Sequence, residues 1–225
     1  MKIKGLLAIT ALFAMSVANA QQQTYINQSG GLGYMYTKKA ESQPATGSQY
    51  YIESFNAAKI DDSKEITLVR YNANSDEMEL KIHEEIVVLE PKDNMLIKLV
   101  NKKANYTFVQ YLNKDNVASQ NYLVLISDNS NLRIFKRERI KFIPEEEAKG
   151  GYDKYKPARY KKQSPEYYIQ LDNGSIVYMP TSRKKIMKLI PGKGKEIKAF
   201  MKENRIKTSR DKDLNKLGNF MSTLL

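Results

Sequence analysis

Polar and apolar residues alternate one for one in Glu77-Met78-Glu79-Leu80-Lys81-Ile82, which predicts a strand with one wet face and one buried face. Residues 66–71, just before it, are rich in β-branched and aromatic side chains and predict a second strand. Between the two, Asn72-Ala73-Asn74-Ser75-Asp76 supplies side chains that bond their own backbone in turns. The unit is a β-hairpin. Its texture recurs at 57–60, 85–89, 95–100, 106–111, 122–127 and 132–142, with Asp- and Asn-rich turns between. Residues 167–171 and 175–179 bracket Asp172-Asn173-Gly174, where Asn-Gly between apolar runs is a strong hairpin signal. Short segments with such spacing predict an antiparallel meander, either an open sheet or a partly closed barrel.

Past Pro180 the period becomes helical. Ser182 is placed to cap a helix carrying Ile186, Leu189 and Ile190, which Pro191-Gly192 stops. Ile197, Phe200 and Met201 follow at i, i+3, i+4 spacing. Thr208 and Asp211 read as a capping-box pair for a last helix with Leu214, Leu217, Met221 and Leu224 on one stripe. A further short helix is expected from Pro144 to Ala148, with acids in its first turn. The expected fold class is α+β, mostly β: an antiparallel meander over 49–180, then basic helices over 181–225 packed on it.

The start of the chain alters the picture of location. Lys2 and Lys4 precede a short apolar run, and Ala18-Asn19-Ala20 forms an A-x-A site, the pattern of a secretory signal peptide over 1–20 with cleavage between Ala20 and Gln21. The apolar run is well short of the ~20 residues a bilayer span needs, and no transmembrane segment is expected in the mature chain. Residues 21–48 are polar and rich in Gly, Gln and Ser, and read as a flexible arm. The chain contains no cysteine, which excludes disulfides, thiol chemistry and lipid attachment to a cysteine. An exported, periplasmic or secreted protein is expected.

Charge separates the two halves. Residues 150–225 hold 18 Lys and Arg against 7 Asp and Glu, whereas 21–149 hold 17 against 18. The basic field therefore belongs to the C-terminal third. Arg183, Lys184, Lys185, Lys188, Lys195 and Lys198 form its candidate face for an acidic envelope protein or a polyanion. Export argues against nucleic acid as that partner, although Tyr and Lys interleave between 150 and 168.

Other candidate chemistry is sparse. His83 is the only histidine and falls in the alternating pattern, so an ordinary zinc site is not expected. Asn72, Asn74 and Asp76 have the odd spacing of a calcium loop, but Glu77 and His83 occupy positions that need Gly and Glu. The Gly192-Lys193-Gly194-Lys195 run lacks phosphate-loop spacing. Arg70, inside an apolar strand, calls for an internal carboxylate: Asp76, Glu77 or Glu79. No catalytic motif is present, no cofactor is expected, and the expected protein is not an enzyme.

The run Arg70-Tyr71-Asn72 followed by Asp76-Glu77-Met78-Glu79, the Lys184-Lys185 helix, Ile197-Lys198-Ala199-Phe200 and the Leu-rich terminus resemble a group of small exported Bacteroidota proteins of unknown function. The resemblance implies an envelope location and no particular activity. The expected function is non-enzymatic binding or scaffolding. Two alternatives stand beside it: a docking subunit of a membrane-associated assembly, and a hydrolase or transferase with an unrecognised site.

Overall fold

The structure is a computed structural model that describes residues 45–101, 104–148, 150 and 154–225, together with the backbone of 35–37. The expected leader, its cleavage residues Ala18, Ala20 and Gln21, and most of the expected arm lie outside the described residues. Among the described residues, thirteen strands and three helices follow in order: β1 (Met35–Thr37), β2 (Asn56–Ile60), β3 (Thr67–Asn72), β4 (Glu77–Ile82), β5 (Glu85–Leu89), β6 (Leu96–Leu99), β7 (Asn105–Leu112), β8 (Ala118–Asp128), β9 (Leu132–Arg137), β10 (Ile140–Ile143), β11 (Arg159–Lys162), β12 (Glu166–Leu171), β13 (Val177–Met179), α1 (Arg183–Ile186), α2 (Gly194–Glu203) and α3 (Asp211–Ser222).

The described residues are mostly β, 41% strand and 15% helix, and the meander closes in part. Strands run β1-β5-β4-β3-β2-β6-β7 as a continuous sheet, and then β7, β8, β9, β12 and β13 form a ring that returns to β7. Neighbours around such a ring alternate in direction, so an odd number of strands forces one parallel contact. Here it is β13 on β7, a single register pair, Val177 with Leu112, reinforced by Leu112 N–H donating to the Ile176 carbonyl at 2.8 Å. The five-strand barrel is therefore closed by a thin seam. Between β9 and β12 the chain makes a separate two-stranded ribbon, β10 with β11.

Alternation along the barrel strands sends side chains two ways. Val109, Tyr111, Leu123, Phe135, Tyr168 and Ile176 meet inside the barrel. On the outside of β9 and β12, Leu132, Ile134, Tyr167 and Ile169 pack under Ile186, Ile197, Met201, Leu214, Leu217 and Met221 of the helices. On the outside of β7 and β8, Tyr106, Tyr122 and Val124 join Tyr71, Met78, Leu80 and Ile97 of the first sheet.

Several local expectations are corrected. His83 is not in a strand: β4 ends at Ile82, and His83 takes φ 55° in the two-residue loop to β5. The 132–142 run is two strands, β9 and β10. Residues 144–148 form no helix; Glu146 bridges Lys156 instead. The connection over 150–165 contains β11, and the Ser182 helix, α1, is one turn long. The last hairpin turns on Asp172 and Asn173, both at positive φ, and not on Asn-Gly, with Gly174 N–H closing the turn on the Leu171 carbonyl. Thr208 is not a cap either: its hydroxyl donates to the Thr181 carbonyl, and Arg210 holds the N-cap position of α3. Parts of the stretch read as a loose arm are tied to the body, since β1 pairs with β5 and Thr46 bridges Arg159.

Candidate functional site

Arg70 and Glu79 stand directly opposite each other across β3 and β4. Arg70 donates from Nη2 at 2.7 Å and from Nε at 3.1 Å to Glu79 Oε2, a two-point pair of charge-assisted bonds. The guanidinium lies between the rings of Tyr50 and Phe55, at 3.9 and 4.2 Å from their centroids. Tyr50 and Asn72 also donate to Glu79, which is 3% exposed. Burial, then the Glu79 charge, pushes the Tyr50 phenol up to about 12. Arg70 Nη1 donates to the Glu53 carbonyl, and with both oxygens of Glu79 bonded from within the protein the pair works as an internal clamp.

Asp76 and Glu77 are not part of this clamp. Asp76, at φ 58°, turns toward β8: Tyr71 Oη donates to Oδ1 at 2.6 Å and Asn121 Nδ2 to Oδ2 at 2.6 Å. Asn121 in turn accepts from Tyr111 Oη at 2.6 Å, so a chain of polar groups runs from the first sheet into the barrel. Burial raises the Asp76 pKa despite these donors. Glu77 accepts from Ser75 in the turn.

A groove of about 1040 Å³ opens between β6, the ends of β7 and β8, and α3. At its floor Lys136 bridges two carboxylates, at 2.8 Å to Glu138 Oε1 and 2.7 Å to Asp211 Oδ2. Tyr167 donates to the other oxygen of Asp211 at 3.0 Å, which ties β12 to the start of α3. Burial lowers the Lys136 pKa, but Glu138 and Asp211 together outweigh it and the net shift is upward. Glu138 is 8% exposed. The neighbouring Tyr106 phenol is raised by burial, then by the Glu138 charge and by hydrogen bonding to that carboxylate. Lys59, Lys98 and Lys212 stand exposed on the walls.

The helices supply the second candidate surface. Lys184, Lys185, Lys188, Lys195 and Lys198 are exposed, and none takes part in an ion pair among the described residues. Arg183 differs from them. Its Nη2 donates to the Ile206 carbonyl at 2.8 Å and ties α1 to the turn after α2. The tail's apolar stripe is used up on the barrel: Leu214, Leu217 and Met221 are buried.

Lys136 and Glu138 did not stand out in the sequence, and Asp211 did so only as a helix-capping residue. Lys136 and Glu138 sit two apart, a faint sign of a shared face, but Asp211 is brought to them only by the docking of α3. No family model, curated protein or solved structure matches the chain.

Proposed function

We propose that this chain is an exported, non-enzymatic binding protein whose basic C-terminal helices engage an acidic partner or polyanion. The observation that carries the reading is the exposure of Lys184, Lys185, Lys188, Lys195 and Lys198 on one helical layer, without internal ion pairs among the described residues. Like charges held together in this way repel and add little to folding, and an acidic surface relieves the repulsion. Export is supported by the Lys2/Lys4, apolar and Ala18-Asn19-Ala20 pattern. No helix among the described residues is long and apolar enough to cross a membrane.

The mature chain is titrated against lipopolysaccharide and against anionic vesicles at low and high salt. Binding is expected to weaken steeply with salt, because exposed charges are screened beyond ~8 Å at physiological ionic strength. A triple variant, Lys184→Gln, Lys185→Gln and Lys188→Gln, is expected to bind more weakly and to lose part of the salt dependence. Arg183 is left in place because it holds α1. Equal binding by wild type and variant at every salt concentration would mean that the basic face is merely solvated.

A further inference from the structure

We propose that the outer face of the first sheet, where Ile66, Leu68 and Val100 stand beside Lys59 and Lys98, is a contact surface for a bilayer of anionic lipid. Alternation fixes the face. Ala58, Ile60, Val69, Ile97 and Leu99 point into the core. Lys59, Leu68 and Lys98, their immediate neighbours in the strands, therefore point the other way. Cross-strand register lines up one row on that side. Val100 N–H donates to the Ala57 carbonyl at 2.8 Å, Ala57 pairs with Leu68, Leu68 with Lys81, and Lys81 with Ile86. Leu68 is 43% exposed, Val100 52%, and Ile66, two residues from Leu68 on the same side, 60%. Left open to water, these side chains contribute little to folding. Apolar groups gathered on one face, unlike scattered ones, mark an interaction surface.

The charges select the partner. Lys59 and Lys98 stand directly opposite each other on β2 and β6. Like charges so placed face each other across roughly 5 Å and weaken a sheet. Among the described residues neither has an ion-pair partner. Lys81, within the apolar row, meets only the exposed Glu84, at 3.7 Å. Glu79, the acid of the next row, is neutralised by Arg70. A partner for this face is therefore partly apolar and negative. A second copy of the chain fits it poorly, because the lysine pairs would be set against each other. Protein interfaces favour aromatic side chains and Arg at their centres and are depleted in Lys, whereas the open groups here are aliphatic chains and lysines. Aliphatic groups entering the acyl boundary, with lysine stems lying along them and ammonium groups reaching lipid phosphates, match an anionic bilayer. This contact does not rest on the basic helices.

Because the chain has no cysteine, Val100→Cys carries a single environment-sensitive dye, and Lys188→Cys carries the same dye on the helices for comparison. Each labelled mature chain is mixed with vesicles of phosphatidylcholine alone, and of phosphatidylcholine with an equal part of phosphatidylglycerol. With the anionic vesicles the dye at position 100 is expected to shift to the blue and to be quenched by spin-labelled acyl chains. With phosphatidylcholine alone it is expected to stay as in buffer. Lys59→Gln and Lys98→Gln are each expected to weaken retention on anionic vesicles about fivefold, with the thermal midpoint unchanged or raised. Leu68→Asp, at an exposed position, is expected to abolish the dye shift while circular dichroism is unchanged. The helix variant Lys184→Gln/Lys185→Gln/Lys188→Gln separates the two surfaces: a dye at position 100 that still enters the bilayer in that background shows that the sheet face acts by itself. Retention in which only the dye at position 188 responds places the contact on the helices and overturns the proposal for the sheet. So do the absence of retention on anionic vesicles and lysine variants that bind like wild type. A dye at position 100 that responds to polyglutamate in solution and not to vesicles assigns an acidic chain as the partner, and the lipid proposal fails.

Discussion

Arg70 places its charge where water barely reaches, at 16% side-chain exposure, because Glu79 stands opposite it and two aromatic rings cover its faces. Removing one member of a buried pair leaves the other uncompensated, which typically costs about 3–5 kcal/mol. Arg70→Met is therefore expected to destabilise by about 3 kcal/mol in chemical denaturation. Arg70→Met/Glu79→Met is expected to recover much of that loss, since two apolar chains replace two desolvated charges. A single variant as stable as wild type would show that the clamp contributes nothing. The partner was legible in the sequence only as one of three acids. Cross-strand register selects Glu79, whereas Asp76 is diverted by Asn121 and Tyr122, residues some forty-five positions away whose approach no local pattern announces.

At the scale of elements, α3 decides how the tail sits. Asn215 donates to the Ile126 carbonyl at the bulge in β8, Asn131 donates to the Ser222 carbonyl, and Ser127 donates to Asn219. The helix comes this close because residue 218 is glycine: a Cβ there would lie 2.5 Å from Ser127 Oγ and 3.0 Å from Ile134 Cδ1. In an exposed helix, Gly→Ala would stabilise by roughly 1 kcal/mol. Here Gly218→Ala is expected to destabilise by about 1–3 kcal/mol, as overpacking does, and a rise in thermal midpoint would contradict the tight seat. Deleting residues 181–225 would uncover Leu132, Ile134, Tyr167 and Ile169 together. The truncated protein is expected to aggregate or to bind a hydrophobic dye, whereas a monomeric, cooperatively melting product would make the tail a separate appendage. Short strands with polar turns, and the helical stripe of Leu214, Leu217 and Met221, were legible because alternation and 3.6-residue spacing are local. The barrel was legible only as one of two possibilities, since closure rests on the Val177–Leu112 contact between distant segments. Strand β11 was hidden because Arg159-Tyr160-Lys161-Lys162 is too polar to alternate visibly, and Thr208 misled because tertiary contact with Thr181 outcompeted its capping role.

Across the whole molecule, tyrosine is the residue that joins the layers. Tyr71 and Tyr106 bring the first sheet to the barrel wall, with ring centroids 5.1 Å apart; Tyr111 and Tyr168 fill the barrel, 4.4 Å apart; and Tyr167 reaches α3. Burial is the main reason that the phenols of Tyr71, Tyr106, Tyr167 and Tyr168 all stand above their ordinary value of 10.0, with nearby carboxylates adding to it. The sign follows from proton binding. At high pH the unfolded chain releases phenolic protons near pH 10, while the native state still holds them. The stabilisation these groups give is therefore fully present below about pH 10 and is lost as pH rises through the folded values. Lys136, raised from 10.5, acts in the same direction and in nearly the same window. Stability measured in denaturant is expected to fall steeply above about pH 10. The buried tyrosines should then ionise together with loss of the far-ultraviolet circular dichroism, and not beforehand. Phenolate absorbance and circular dichroism followed on one sample against pH would test this. If all 15 tyrosines of the chain ionise near pH 10 while the β-sheet signal is unchanged, the phenols do not hold the layers together.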